Sequence, residues 1–451
     1  MDSTSTSTTS TTTGTAPLHE AIRSTVAGLD GVLPQALELY RELHAAPELS
    51  GQEEQTAARF AAWLRDAGCE VTQGVGGHGV VGVLRNGEGP LVALRADMDA
   101  LPIAESTGLP YASTRTATTD DGRSVPVAHA CGHDAHVACA AGAASLLGRA
   151  RDTWSGTFMV IGQPAEETLT GAGAMLEDGL FERFGVPDVI LAQHVAPLPC
   201  GVVAHGPGAL TAATTVVEVV IHGRGGHGAA PHLSIDPVLT AAATVQRLQS
   251  VVSRENNPFE PLVVTVGALR AGTVPNVIPD RAELGISIRC YSDDQLDRAV
   301  AAVERIVRAE SAAAGCPRDP DITVGPKAPV NINDPAAAAR VHAAHTALLG
   351  PRRVLSTPPM LAGEDFPFFA HGSTPAVPTV YWFLGCVSAA DWRAAPGGSP
   401  QEKVQSLPAN HAADFAPAAE ATLRHGISAA AAAVLALASV ERRQGAEAGH
   451  R

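Results

Sequence analysis

The chain is short of several things, and each shortage removes a class of explanation. Charged residues fill only 17% of its 451 positions, and the charge sums to −15. A net negative surface gains nothing from long-range attraction to polyanions, so nucleic acid and acidic membrane are disfavoured as partners. The seven cysteines are odd in number and widely spaced; they form no disulfide framework and suit a reducing cytosol. The first fifteen residues are almost all Ser and Thr, with neither a basic start nor an apolar centre. Residues 1–16 therefore read as a disordered tail and not as a secretory leader. The longest apolar run, Ile427 to Val440, is Ala-rich, is too short to span a bilayer, and reads as an amphipathic terminal helix. What remains is an ordinary globular composition, 45% apolar, in a chain long enough for two domains.

Chemistry concentrates in a few segments. His129-Ala-Cys131-Gly-His133-Asp134-Ala-His136 is followed by Gln163-Pro-Ala-Glu166-Glu167 and then by Gln193-His194. Cys, His and Glu are the donors that borderline-soft dications such as zinc prefer. Two adjacent glutamates suit a site where one carboxylate binds metal and its neighbour moves a proton. Two ions close together need a shared ligand, and the Cys131 thiolate can serve. The Glu pair follows an apolar run, Gly156 to Gln163, that reads as a buried strand; Asp188 to His194 and Pro90 to Asp99 repeat the pattern. Ligands gather at the carboxyl ends of such strands in α/β sheets. Taken singly, each piece has a plainer reading. Cys131 alone is a small buried hydrophobe, Glu166-Glu167 alone a solvated helix start. The stretch from His136 through Cys139 to Leu147 reads as a packed helix. Together they read as a dinuclear metal hydrolase.

The middle of the chain is organised differently. Strands are expected at 214–222, 261–267, 282–289 and 322–324, with helices at 236–252 and 293–314, which is the β-α-β-β-α-β order of a ferredoxin-like fold. RNA-binding modules share that order but carry stacking aromatics and basic residues. Between Thr211 and Ile322 the only aromatics are Phe259 and Tyr291, and ten Arg stand against thirteen Asp and Glu. That excludes the RNA reading. Gly206-Pro-Gly208 and Gly325-Pro326 supply hinge chemistry on either side. The expected division is a discontinuous α/β catalytic domain, 17–210 with 326–440, and an inserted domain at 211–325. Thr116 to Arg123 reads as a surface loop.

From Leu43 to Phe415 the sequence resembles the M20 metallopeptidase and amidohydrolase family, in its N-acyl-amino-acid, hippurate and indole-acetyl-amino-acid hydrolase subgroup. The motifs that carry the resemblance are Leu43-His-Ala-Ala-Pro-Glu-Leu-Ser50, Arg95-Ala-Asp-Met-Asp-Ala-Leu-Pro102, His129-Ala-Cys-Gly-His-Asp134, Gln163-Pro-Ala-Glu-Glu167, Gly225-Gly-His-Gly-Ala-Ala-Pro-His232, Pro275-Asn-Val-Ile-Pro279 and Gly363-Glu-Asp-Phe366. The resemblance implies a zinc-exopeptidase-like catalytic domain whose inserted domain is a lid that dimerises. It implies metal ligands at Cys131, His133, Glu167, His194 and a late histidine, with Glu166 as general base. The late ligand departs from the family pattern: Asn410-His-Ala-Ala-Asp-Phe415 lacks the usual proline, and His411 is assigned on its spacing to Phe415, ahead of His425. The resemblance also implies that His227 stabilises an oxyanion, often in the partner's site, and that Asn276 and Arg289 hold a substrate carboxylate.

The function expected is hydrolysis of the amide bond of N-acyl amino acids by a cytoplasmic homodimer with two divalent ions per subunit: zinc, manganese, cobalt or nickel. A dipeptidase or carbamoyl-amino-acid hydrolase on the same metals is the alternative. A metal-binding scaffold without catalysis is disfavoured by the intact Glu166-Glu167 pair.

Overall fold

The computed structural model describes residues 15–206 and 208–438. Most of the Ser/Thr tail, and the last two residues of the run ending at Val440, lie outside them. Thr15 and Ala16, counted above with the tail, open the helix Thr15–Val26. The described residues fall into two compact units. One comprises the chain up to Gly206, Asn333–Thr357 and the part from Phe369 onward; the other comprises Pro207–Ile332 and Pro358–Phe368. The segment Pro358–Phe368, given above to the catalytic domain, belongs to the second unit because Thr211 bridges to Met360 and the Ala212 N–H donates to the Ala362 carbonyl.

The first unit is built on an eight-stranded sheet in the order Glu70–Val75, Gly79–Asn86, Gly156–Gln163, Leu91–Asp97, Val189–Pro199, Thr379–Val387, Val203–His205, Val354–Ser356. The four central strands, from Gly156–Gln163 to Thr379–Val387, run parallel. Their sequences are near-continuous apolar runs because helices cover both faces of a parallel sheet. Register fixes the site. Asp97 lies opposite Gln163, and Arg95 lies opposite Ala192, so Asp97, Gln163 and His194 emerge at one level. The strand from Val189 does not stop at His194 but continues to Pro199, so that histidine projects from mid-strand.

The helix His133–Arg149 is buried at every residue from His133 to Leu147 and packs against the helix Ala419–Leu437. The latter is not amphipathic: from Gly426 to Leu437 every residue is buried. Its alanines let the helices Thr15–Val26, Leu33–Ala45, His133–Arg149 and Pro335–Leu349 all approach it closely, and no face is left for water. No described helix is long and apolar enough to cross a membrane. The expected surface loop at Thr116 is a short hairpin, Thr116–Thr118 against Ser124–Pro126, turned at Asp121-Gly122, where Gly122 takes the positive φ that a tight turn requires.

The second unit has a four-stranded antiparallel sheet ordered Leu262–Ala271, Arg281–Cys290, Ala213–His222, Asp321–Val324. The helices Pro237–Ser250 and Asp293–Ala313 pack on it. In chain order the strands run second, third, first, fourth, the ferredoxin-like arrangement. The alternation of Ala282, Leu284, Ile286 and Ile288 puts all four into its core. A two-stranded ribbon, Gly226–His227 against Val277–Ile278, is added to it.

Candidate metal centre

The loop that carries Cys131 reaches the sheet through Gly132. Its φ is 83°, and a Cβ there would lie 2.4 Å from Val195 Cγ2, so only glycine lets the loop lie against the strand bearing His194. The ligand atoms of Cys131, His133 and Glu167 lie within 4.8 Å of one another. His194 Nε2 is 3.4 Å from Cys131 Sγ, and His411 Nε2 is 3.4 Å from Glu167 Oε1. The five residues assigned as ligands thus converge around the thiol.

Hydrogen bonds fix the imidazoles for this work. His133 Nδ1 donates to the Asp99 carbonyl at 2.9 Å, which leaves Nε2 as the lone pair. That nitrogen is buried without a hydrogen-bond partner, as is Glu167 Oε1. Burying two such atoms unsatisfied is costly unless something binds them. His194 Nδ1 donates to the Val195 carbonyl at 2.8 Å, again presenting Nε2. Burial, with Glu167 beside it, holds the Cys131 thiol above its usual range; a dication favours the thiolate instead. A thiol, imidazoles of one tautomer and an unpartnered carboxylate oxygen fit divalent metal.

A second group, Asp97, His133, His136 and His194, is also close enough to hold an ion. His136 is already committed, however. Its Nε2 accepts the Val195 N–H at 2.9 Å and its Nδ1 donates to Asp97 Oδ1 at 2.5 Å. It positions the strand next to His194 and is not mere helix packing. Asp97 is fully buried and yet held well below the usual carboxylate range: burial opposes ionisation, and Arg95, His133 and His136 overcome it. Arg95 grips Asp97 at 2.5 Å and Gln163 at 2.7 Å.

Other supports were invisible in the sequence. His44 bridges Asp134 at 2.6 Å and Glu105 at 3.0 Å. Burial would lower its pKa, but those carboxylates raise it to about 10. Asn410 Nδ2 donates to the Cys131 and Val195 carbonyls, and the His411 N–H donates to the Ala130 carbonyl. Two other ligand segments, the Cys131 loop and the strand bearing His194, thus tie down the segment of His411, which takes φ 72°. Glu166 is buried, with Oε2 3.9 Å from His133 Nε2. The motif segments were legible, but a polar side chain gives no signal of a partner dozens of residues away.

In the second unit, the ribbon brings His227 and Asn276 together, since the Gly228 N–H donates to the Asn276 carbonyl. His227 Nδ1 accepts the Ala229 N–H at 3.0 Å, so a neutral ring carries its proton on Nε2. Arg289 sits apart on the sheet, with Nη1 donating to the Leu361 carbonyl at 2.6 Å.

The chain is 34% identical over 372 residues to the N-acetyl-L-cysteine deacetylase of Bacillus subtilis, covering 82% of this chain and 84% of that protein. It is 35% identical over 350 residues to the hippurate hydrolase of Campylobacter jejuni, covering 75% and 87%. Its fold is similar to that of the Bacillus subtilis YXEP protein, a dinuclear metal binding peptidase, with a TM-score of 0.69 at 28% identity over 90% of this chain and 99% of that one. Residues 93–421 match peptidase family M20/M25/M40, and the chain belongs to that family of hydrolases.

Proposed function

We propose that this hydrolase cleaves the amide bond of N-acyl amino acids, using two divalent ions held by Cys131, His133, Glu167, His194 and His411. The observation that carries this reading is the buried Glu166 beside a donor set in which His133 Nε2 and Glu167 Oε1 are buried without a hydrogen-bond partner. Bound dications polarise an acyl carbonyl and make water acidic. Glu166 takes the proton of the attacking water and delivers it to the departing amine, so one carboxylate serves as base and then acid. The Nε2–H of His227 stabilises the oxyanion. Asn276 and Arg289 hold the carboxylate of the amino acid, Arg by its planar fork. Zinc is the ion best matched to these donors, with manganese, cobalt and nickel also compatible. The seven cysteines are free thiols, in keeping with work in the cytosol.

Metal-loaded protein assayed on a panel of N-acyl amino acids should release the amino acid. Glu166→Gln should keep its metal and lose about 10²–10⁴-fold in turnover, the scale of general-base removal. Near-normal activity of that variant with full metal content overturns the assignment. Turnover confined to free-amine dipeptides or carbamoyl amino acids overturns the substrate class.

The first unit serves as the catalytic body and the second as a lid that forms a homodimer. Supporting the latter, the second unit exposes Leu233, Leu239 and Phe259 at 66%, 70% and 91%, large apolar side chains of the kind a partner surface buries. If His227 acts across that dimer, exchanging subunits between Glu166→Gln and His227→Ala protein restores activity, because one site in each mixed dimer has both groups. Demonstrated exchange with no recovery removes the trans role.

A further inference from the structure

Glu166 sits in a turn whose backbone is forced. Ala165, just before it, has φ 50°, and Leu169, three residues after it, has φ 57°. This left-handed region favours glycine and strains an alanine or leucine. The turn is closed by the Leu169 N–H to the Glu166 carbonyl at 2.7 Å and the Gly171 N–H to the Ala165 carbonyl at 3.1 Å. Strain of this kind persists only where the surroundings over-determine the conformation. Here the surroundings are two buried carboxylates. Glu53 Oε1 accepts the Ala165 N–H at 2.8 Å, and Asp99 Oδ2 accepts the Glu167 N–H at 2.9 Å, so the residues on both sides of Glu166 are gripped. Asp99 also carries His133 and Ser50. Glu53 has fewer duties.

Glu53 is fully buried, which is costly for a carboxylate. It immediately precedes the helix Glu54–Asp66, yet its side chain makes no capping bond to that helix. Its accepting oxygen serves the Gly51 and Ala165 N–H groups, and its other oxygen is buried with no hydrogen-bond partner. Burial first, then Asp99 nearby, push its carboxyl up to about 7. A group held at such disadvantage, and not used to cap its own helix, serves two backbone donors, Gly51 next to it in sequence and Ala165 far from it.

We propose that Glu53 is a positioning residue for the general base: it holds Ala165 in the left-handed conformation that aims Glu166 into the centre, an inference that rests on Glu166 being the base. The Glu53 side chain accepts from the Gly51 and Ala165 N–H groups, so it acts through the backbone. A small misplacement of a reacting group is enough to cost about 10²-fold.

Four variants test this. Glu53→Ala should lower kcat by about ten- to a hundredfold, with KM within about threefold and metal content unchanged. Glu53→Gln keeps an accepting oxygen and should hold kcat within about threefold of the parent. Adding Ala165→Gly to Glu53→Ala should recover kcat by about threefold or more, because glycine adopts the required φ without the clamp; Ala165→Gly alone should give no such gain. A purely structural role for Glu53 predicts no such coupling. If Glu53→Ala does not fold, Glu53→Asp, one methylene too short to reach, takes its place with the same expectations. A kcat within about twofold of the parent for the Glu53 variant, or an equal effect of Ala165→Gly in both backgrounds, overturns the proposal. Glu166→Gln is assayed alongside. If it is active, the base assignment has failed; if it is inactive while Glu53→Ala is normal, only the clamp has failed.

Discussion

Cys131 and Cys139 stand eight positions apart and show how one residue type takes two roles. Cys131 is gathered with His133, Glu167 and His194. Cys139 lies on the buried helix, where a Cβ added to Gly426 would come within 2.5 Å of its sulfur. Cys131→Ala should therefore lower metal content and activity together. Cys139→Ala should keep both and lose about 1 kcal/mol of stability for the small void left behind, read as a modest fall in melting temperature. Metal analysis of the two purified variants decides it; full metal in the Cys131 variant removes the shared-thiolate idea. Legibility at this scale followed residue type. Cys131, His133, Glu166, Glu167 and His194 stand in short runs whose chemistry is unusual enough to notice. His44, Glu53, Glu105 and Asn410 act over 61 to 279 positions of sequence, and a hydrogen bond across such a gap has no local signature. His136 was hidden by its neighbours, because a histidine among alanines on a helix looks like packing.

Elements were more legible than their surroundings. The alternation of Ala282 to Ile288 fixed a strand, and the apolar run Gly156 to Gln163 coincides with the strand Gly156–Gln163. The terminal helix was recognised as a helix and misjudged as amphipathic, because alanine is too small to declare a face; what decides its environment is how many helices crowd it. That crowding is testable at Gly142. A Cβ there would meet Ile427 Cδ1 at 2.5 Å and Cγ1 at 2.7 Å. Alanine is the better helix former by about 1 kcal/mol, whereas overpacking costs about 1–3 kcal/mol. Ile427 is fully buried and two of its carbons are in the way, so the steric cost should win. Gly142→Ala should lower the melting temperature, and Ile427→Val in the same chain should restore part of it. A melting temperature raised by Gly142→Ala alone would show that the two helices have room to spare.

At the scale of the whole molecule, the burial that builds the core also sets a limit in acid. His205, in the strand Val203–His205, and His345, in the helix Pro335–Leu349, are 7% and 0% exposed. His345 Nε2 donates to the Ala429 carbonyl at 3.0 Å, so its Nδ1 accepts from His205 Nε2 at 2.9 Å. His205 Nδ1 is then a lone pair with no hydrogen-bond partner, and both rings must stay neutral. Burial first, then its histidine neighbours, lower His205 to about 2; burial lowers His345 to about 4. An unfolded histidine titrates near 6.5. Above that pH neither state takes up protons and the pair contributes no pH dependence. As pH falls below about 6.5 the unfolded chain binds protons that the folded chain refuses, so stability falls, by up to about 1.4 kcal/mol per pH unit for each ring. The loss from His345 levels off once pH passes its folded value near 4. Stability measured by denaturant between pH 6.5 and 4.5 should decline, and His345→Gln should decline less steeply by about one proton. Acid release of bound metal adds to the slope of both proteins and cancels in the difference. Equal slopes for variant and parent would mean that His345 takes up its proton within the fold, and that the buried ring is less constrained than its hydrogen bonds imply.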